Sequence, residues 1–103
     1  MANYLFAYSG GGMAQTDSER EAAMAAWGAW FAGLGPAIVD AGNPFGPSAS
    51  VGSAGATGAA ATGLTGYSIL TADSLDAAAE LAKGCPVFAS GGKVDVYETI
   101  PVM

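Results

Sequence analysis

Residues 22 to 39 read AAMAAWGAWFAGLGPAIV, 18 positions without a charge, and any fold for this chain must find a place for them. That length is the lower edge of a membrane-spanning helix. The residues inside the stretch argue against a span. Pro36 would cost roughly 3 kcal/mol in a helix interior, and Gly28 and Gly33 about 1 kcal/mol each relative to Ala. The stretch therefore divides into a helix ending near Leu34, a C-cap at Gly35 and a new element after Pro36. Upstream, Thr16-Asp17-Ser18-Glu19 is a capping box, with Thr16 as N-cap and Glu19 at N3. Asp17, Glu19 and Glu21 also suit the positive end of the helix dipole. The spacing predicts a helix over 17 to 34 in a soluble protein.

Within that helix Met24, Trp27, Phe31 and Leu34 form one wide stripe, flanked by Ala23 and Trp30. The other side carries Ala22, Ala25, Ala26, Ala29, Ala32 and Gly33. It reads either as exposed alanines that favour helix or as a close contact with another chain's helix, since small residues let backbones approach.

Strands account for much of the remainder. NYLFAYS (3 to 9) sets Tyr4, Phe6 and Tyr8 on one face against Leu5 and Ala7 on the other, so it should be central and covered on both sides. AIVDAG (37 to 42) is a second strand, stopped by Gly42-Asn43-Pro44. TGYSILT (65 to 71) is a third. SLDAAAELAKG is a second helix capped by Asp73 or Ser74 and ended at Gly84. KVDVYETI (93 to 100) alternates as a half-buried strand. The order β-α-β-β-α-β predicts an α+β fold of the ferredoxin-like kind, a four-stranded antiparallel sheet with both helices on one face. A central strand apolar on both faces then needs cover on the bare side. A second copy of the chain is the simplest cover, giving a homodimer with sheets packed face to face.

Residues 46 to 63, GPSASVGSAGATGAAATG, hold no charge and almost nothing to bury. Such a length reads as a mobile linker, or as a lid or partner-binding arm.

Composition narrows the function classes. With 51% hydrophobic and 12% charged residues, the chain is a packed single domain over 1 to 103 rather than a disordered one. Three cations stand against nine carboxylates, for a net charge of −6. Arg20, Lys83 and Lys93 are too scattered for a phosphate-binding stripe, which excludes nucleic acid and disfavours an anionic membrane. With one cysteine and no histidine, no internal disulfide can form, and the residues offer no zinc site or other metal. The start, MANYLFAYSGGG, lacks a signal-peptide pattern, so the expected location is cytoplasmic.

Several segments carry a resemblance: YLFAYSGGGM, AAWGAWFAGLGPAIVDAGNPFG and, most tellingly, LTGYSILTADSLDAAAELAKGCPVFASGGKVDVYETIPV. Together they resemble the YCII-related (YciI-like, DGPF-containing) family over nearly everything except residues 46 to 63. The resemblance implies a dimeric α+β barrel of ferredoxin-like protomers. It also implies a His–Asp pair beside a cleft, with the Asp in an Asp-Pro turn after the second helix. Here that turn is Cys85-Pro86-Val87, and the chain holds no His. Ser9 stands where related chains starting YHGG would place a His. The DGPF motif is absent, and NPFG at 43 to 46 resembles it only in letters.

Asp40 is the only charge between Glu21 and Asp73. It is either a solvated strand end or a carboxylate facing a cleft as general base or ligand contact, with Asn43 close by. Cys85 reads as a structural thiol or a nucleophile, although it follows a helix C-terminus that would raise its pKa. Gly10-Gly11-Gly12 reads as a flexible connector more readily than a phosphate loop, since neither phosphate-loop pattern is present. Tyr8, Trp27, Trp30, Tyr67 and Tyr97 can be core or pocket, with Trp30 nearest the stripe's edge and so best placed to reach a cleft. The resulting expectation is a protein without a cofactor that binds a small apolar or aromatic molecule between sheet and helices. Asp40 is the candidate catalytic residue, with Tyr8, Ser9, Trp30, Asn43, Tyr67 and Cys85 as contacts. The alternative is a non-catalytic structural or interaction module that keeps only the dimer.

Overall fold

The computed structural model describes residues 1–11, 15–60 and 63–102. Gly12 of the triple glycine and residues 61 and 62 of the 46 to 63 segment lie outside the described residues. The elements run β1 (Ala2–Gly10), α1 (Asp17–Leu34), a 3-10 turn (Gly35–Ala37), β2 (Ile38–Asp40), β3 (Ser50–Gly52), β4 (Gly55–Gly58), β5 (Leu64–Ala72), α2 (Leu75–Ala82), a second 3-10 turn (Pro86–Ser90) and β6 (Gly92–Glu98). Four of the strands form one sheet in the order β2-β5-β1-β6, with antiparallel neighbours throughout. The protein is therefore α+β, with a four-stranded antiparallel sheet and two helices, compatible with a ferredoxin-like arrangement.

Local chemistry sets the ends of α1. The Glu19 N–H donates to Thr16 Oγ1 at 3.1 Å, and Glu19 Oε2 accepts from the Gln15 N–H at 2.6 Å. Both halves of the capping box are present, with the carboxylate reaching one residue further back than the usual N-cap amide. At the other end Gly35 has φ 54° and its N–H closes on the Phe31 carbonyl. α2 starts at Ser74, whose Oγ accepts from the Ala77 N–H at 3.1 Å.

The β1–β5 register pairs Tyr4 with Leu70, Phe6 with Ser68 and Tyr8 with Gly66, and the β1–β6 register adds Val96 opposite Phe6 and Val94 opposite Tyr8. Because side chains alternate along a strand, all of these share one face. Both helices pack there. Ala78 and Ala82 of α2 join Tyr4, Phe6, Tyr8, Leu70, Ala72, Cys85 and Val87 in the core, while Trp27, Trp30 and Leu34 of α1 press on it from outside. The opposite face holds Leu5, Ala7, Tyr67, Ile69 and Tyr97. Ala7 is buried, Leu5, Tyr67 and Ile69 are half-buried, and Tyr97 is 58% exposed.

Two expectations need correction. Residues 46 to 63 are not an unstructured linker over their described part. Ser50 to Gly58 form the β3–β4 hairpin, and the Ala60 N–H donates to Ser48 Oγ at 3.0 Å near its base. Ladder hydrogen bonds need only the backbone, so poor strand formers such as Gly and Ala can still pair across a tight turn. The second strand is shorter than 37 to 42, because the pairing slips between Ile38 and Asp40 before resuming at a Pro44–Gly66 bridge.

Candidate functional site

α1 meets the sheet unevenly, and that unevenness creates the site. Its C-terminal half carries the bulk: Trp30 stacks over Phe6 (6.3 Å between ring centroids, 29°) and Trp27 meets Tyr8 edge to face (5.0 Å, 77°). Trp27, Trp30 and Phe31 also touch one another at 5.2 to 5.8 Å. Its N-terminal half carries only Arg20, Ala23 and Met24 toward the same side, and Met24 remains 68% exposed. Every residue of α1 keeps some exposure. Large rings at one end and small or flexible residues at the other leave a cleft of about 550 Å³ between helix and sheet.

Its helix wall is Arg20, Ala23, Met24, Trp27, Gly28 and Phe31, spaced at i, i+3, i+4, i+7, i+8 and i+11, one face of a 3.6-residue helix. A Cβ added at Gly28 would meet no atom within 4 Å. The sheet contributes Tyr8 and the β5 segment from Thr65 to Ser68, the second 3-10 turn contributes Val87, and the far wall is the segment Ala41 to Pro44.

A fixed hydroxyl chain runs along the cleft. Tyr8 Oη donates to Ser68 Oγ at 2.8 Å, and Ser68 Oγ donates to the Ala41 carbonyl at 2.6 Å. Burial pushes the Tyr8 phenol up to about 12, against a weaker lowering by Ser68. At neutral pH it keeps its proton and cannot serve as a base. Arg20 is the one formally charged side chain lining the cleft among the described residues.

Of the residues singled out by sequence, Tyr8, Asn43 and Tyr67 line this cleft, and Ser9, Trp30, Asp40 and Cys85 do not. Ser9 follows Tyr8 on β1, so alternation turns it to the opposite face, where it is buried. Trp30 packs beneath the end of α2, close enough that a Cβ at Gly84 would sit 3.4 Å from its ring. Trp27 holds the cleft position expected for Trp30, because it lies one step nearer the stripe centre.

Asp40 is exposed at the end of β2. Its Oδ1 accepts from the Gly42 N–H at 2.9 Å, an Asx-type turn, and its Oδ2 accepts from the Tyr67 hydroxyl at 3.2 Å. That hydrogen bond and the carboxylate's charge raise the Tyr67 pKa. Phe45 stacks on Tyr67 at 5.8 Å, and the Phe45 N–H reaches the Thr65 carbonyl at 2.8 Å. Asp40 thus shapes the wall from Ala41 to Pro44 from behind, rather than presenting a carboxylate to a ligand.

Cys85 is buried at the end of α2, and burial pushes its thiol up to about 11. A thiol so raised is neutral at physiological pH and a poor nucleophile.

No protein family, curated protein or solved structure matches this chain. Function must therefore be argued from the cleft itself. Among the described residues, no three His, Cys, Asp or Glu side chains stand together as metal ligands, and no helix is long and apolar enough to cross a membrane.

Composition does not single out Arg20, which counts there only as one of three scattered cations. Its signal was present: Arg20 precedes Met24, Trp27 and Phe31 by four, seven and eleven positions, and so falls on their face.

Proposed function

We propose that this chain binds a small apolar or aromatic molecule in the cleft between α1 and the sheet, as one half of a homodimer and without acid–base chemistry of its own. The cleft carries the reading. Its volume of about 550 Å³ falls within the range of small-molecule sites, which are apolar with few polar groups. Met24, Trp27, Phe31 and Val87 supply the apolar walls, and Asn43 supplies an amide. Against catalysis stand the missing histidine, the lack of a carboxylate among the described lining residues and a Tyr8 phenol that stays protonated.

Membership of the YCII-related family and a ferredoxin-like βαββαβ core in a dimeric α+β barrel belong to this proposal. The strand order β2-β5-β1-β6 supports the core. Leu5, Ile69 and Tyr97 on the helix-free face support pairing with a second copy. A reducing, cytoplasmic setting fits the single cysteine. A lone subunit in sedimentation velocity at micromolar concentration would remove the dimer from the proposal.

The second reading, a non-catalytic interaction module that keeps only the dimer, is favoured by one observation: Cys85, at the turn where the family resemblance implies an acid, is buried away from the cleft. Calorimetric titration with uncharged bicyclic aromatics separates the two. Saturable heat in the wild type that disappears in Gly28→Leu, whose side chain would enter the cleft, supports the binder. A panel that gives no heat and no midpoint shift leaves the interaction module.

A further inference from the structure

We infer that the molecule held in this cleft is an acid: an aromatic or apolar body lying on Met24 and Trp27, with an anionic group, a carboxylate for example, met by Arg20. The inference rests on the cleft being a binding site and adds the charge of its ligand.

Arg20 stands at one end of the helix wall, seven residues or about 10 Å along the axis from Trp27. Ala23 and Met24 fill the interval, so an apolar body on Trp27 leads directly toward the guanidinium. A cation in the same cleft would face Arg20 and no opposing carboxylate among the described lining residues. The arginine is also available. Its present partner is Asp17, with Nη1 to Oδ1 at 2.9 Å, and both side chains are largely exposed, at 62% and 90%. Exposed pairs of this kind are weak and easily exchanged. A planar guanidinium offers a carboxylate two parallel donors, so a ligand can share or displace Asp17.

The neighbouring carboxylates do not cancel this. Glu19 is drawn back to the Gln15 amide, and Glu21, one residue past Arg20, lies about 100° round the helix from it. Neither lines the cleft. Tyr8 and Ser68 have spent their hydroxyl protons along the chain to Ala41, and of the other lining donors, Trp27, Asn43, Thr65 and Arg20, only Arg20 carries a charge to meet an anionic group.

The overall charge makes the inference sharp. A protein of net charge −6 repels anions at long range. Preference for a carboxylate over its neutral counterpart must therefore come from a cation in direct contact.

The test compares 2-naphthoate with 2-naphthamide by isothermal titration calorimetry at pH 7, on the full chain. The two probes share the bicyclic ring and differ in charge. The wild type is expected to bind the acid about tenfold more tightly than the amide, the scale of a charge-assisted contact. Arg20→Gln, at an exposed helix position, should bring the two affinities together. Lys83→Gln removes the same unit of charge away from the cleft and should keep the preference. Rising salt should erode it in the wild type. Equal affinities in the wild type, or a preference that survives Arg20→Gln, overturns the inference while the apolar site stands. If neither probe binds, the site and the inference fall together.

Discussion

Gly28 and Gly33 occupy the same helix, neither has a positive φ, and a Cβ added at either would meet no atom within 4 Å. Replacing each by Ala therefore adds no clash and recovers the entropy that Gly loses on entering a helix, about 0.8–1 kcal/mol per site. The two lie about 7.5 Å apart along the axis, far enough for the gains to add to roughly 2 kcal/mol. In a domain of this size each kcal/mol moves the thermal midpoint by about 4–8 °C. The substitutions should part company in binding. Gly28 lines the cleft and Gly33 does not, so Gly28→Ala should weaken a bicyclic aromatic ligand while Gly33→Ala leaves it unchanged. Thermal and urea unfolding followed by far-UV circular dichroism measure the first effect, and calorimetric titration the second. Loss of stability in Gly28→Ala would mean that α1 lies closer to the sheet than described, and the open cleft would be refuted. Loss of stability in Gly33→Ala would instead show the small-residue side of α1 closed against another chain.

Three further outcomes follow from individual contacts. Ser68→Ala strands both the Tyr8 hydroxyl and the Ala41 carbonyl, whereas Tyr8→Phe leaves Ser68 still donating to Ala41. Urea unfolding should show a loss of about 1–3 kcal/mol for the serine change and nearer 1 kcal/mol for the tyrosine change, and the reverse order would refute the direction of the chain. Gly42 has φ +77°, and a Cβ there would fall inside the Tyr67 carbonyl, so Gly42→Ala should cost well over 2 kcal/mol and shift the β2–β5 amide signals in a nuclear magnetic resonance spectrum. Burial raises the folded Cys85 thiol to about 11 from an ordinary 9.0. Between those values the unfolded chain holds fewer protons, so stability present below pH 9 should fall as pH rises through 11. Cys85→Ala should flatten that part of the profile, and an unchanged slope would refute a buried thiol.

The boundaries of α1 were legible because each rests on neighbours in the chain. Thr16 and Glu19 satisfy amides within a few residues, and Gly35 and Pro36 stop the helix by their own backbone geometry. The strand alternation of Tyr4, Phe6 and Tyr8 placed β1 in the centre, since a period of two assigns faces without reference to anything distant. The β3–β4 hairpin is not legible in the sequence, for the converse reason. Its Ser, Gly and Ala residues carry little strand propensity, and only backbone pairing across the turn holds them. Asp40 could be singled out as an isolated charge, but not assigned to the back of the cleft wall. That depended on a register slip beside Ile38 and on a Tyr67 hydroxyl 27 positions away.

By itself, then, the sequence determined the helix limits, the faces of the main strands and the amino acids that would meet in a core, all of which are properties of local backbone and side-chain period. Whether Trp27 or Trp30 would reach a cleft, and whether there would be a cleft at all, depended on how far α1 stands from the sheet along its length. That distance is set where bulky rings at one end of the helix meet Phe6 and Tyr8 while Arg20, Ala23 and Met24 at the other end stay exposed along the cleft. Packing of this kind joins residues far apart in the chain, so it exists only once the whole sheet is assembled.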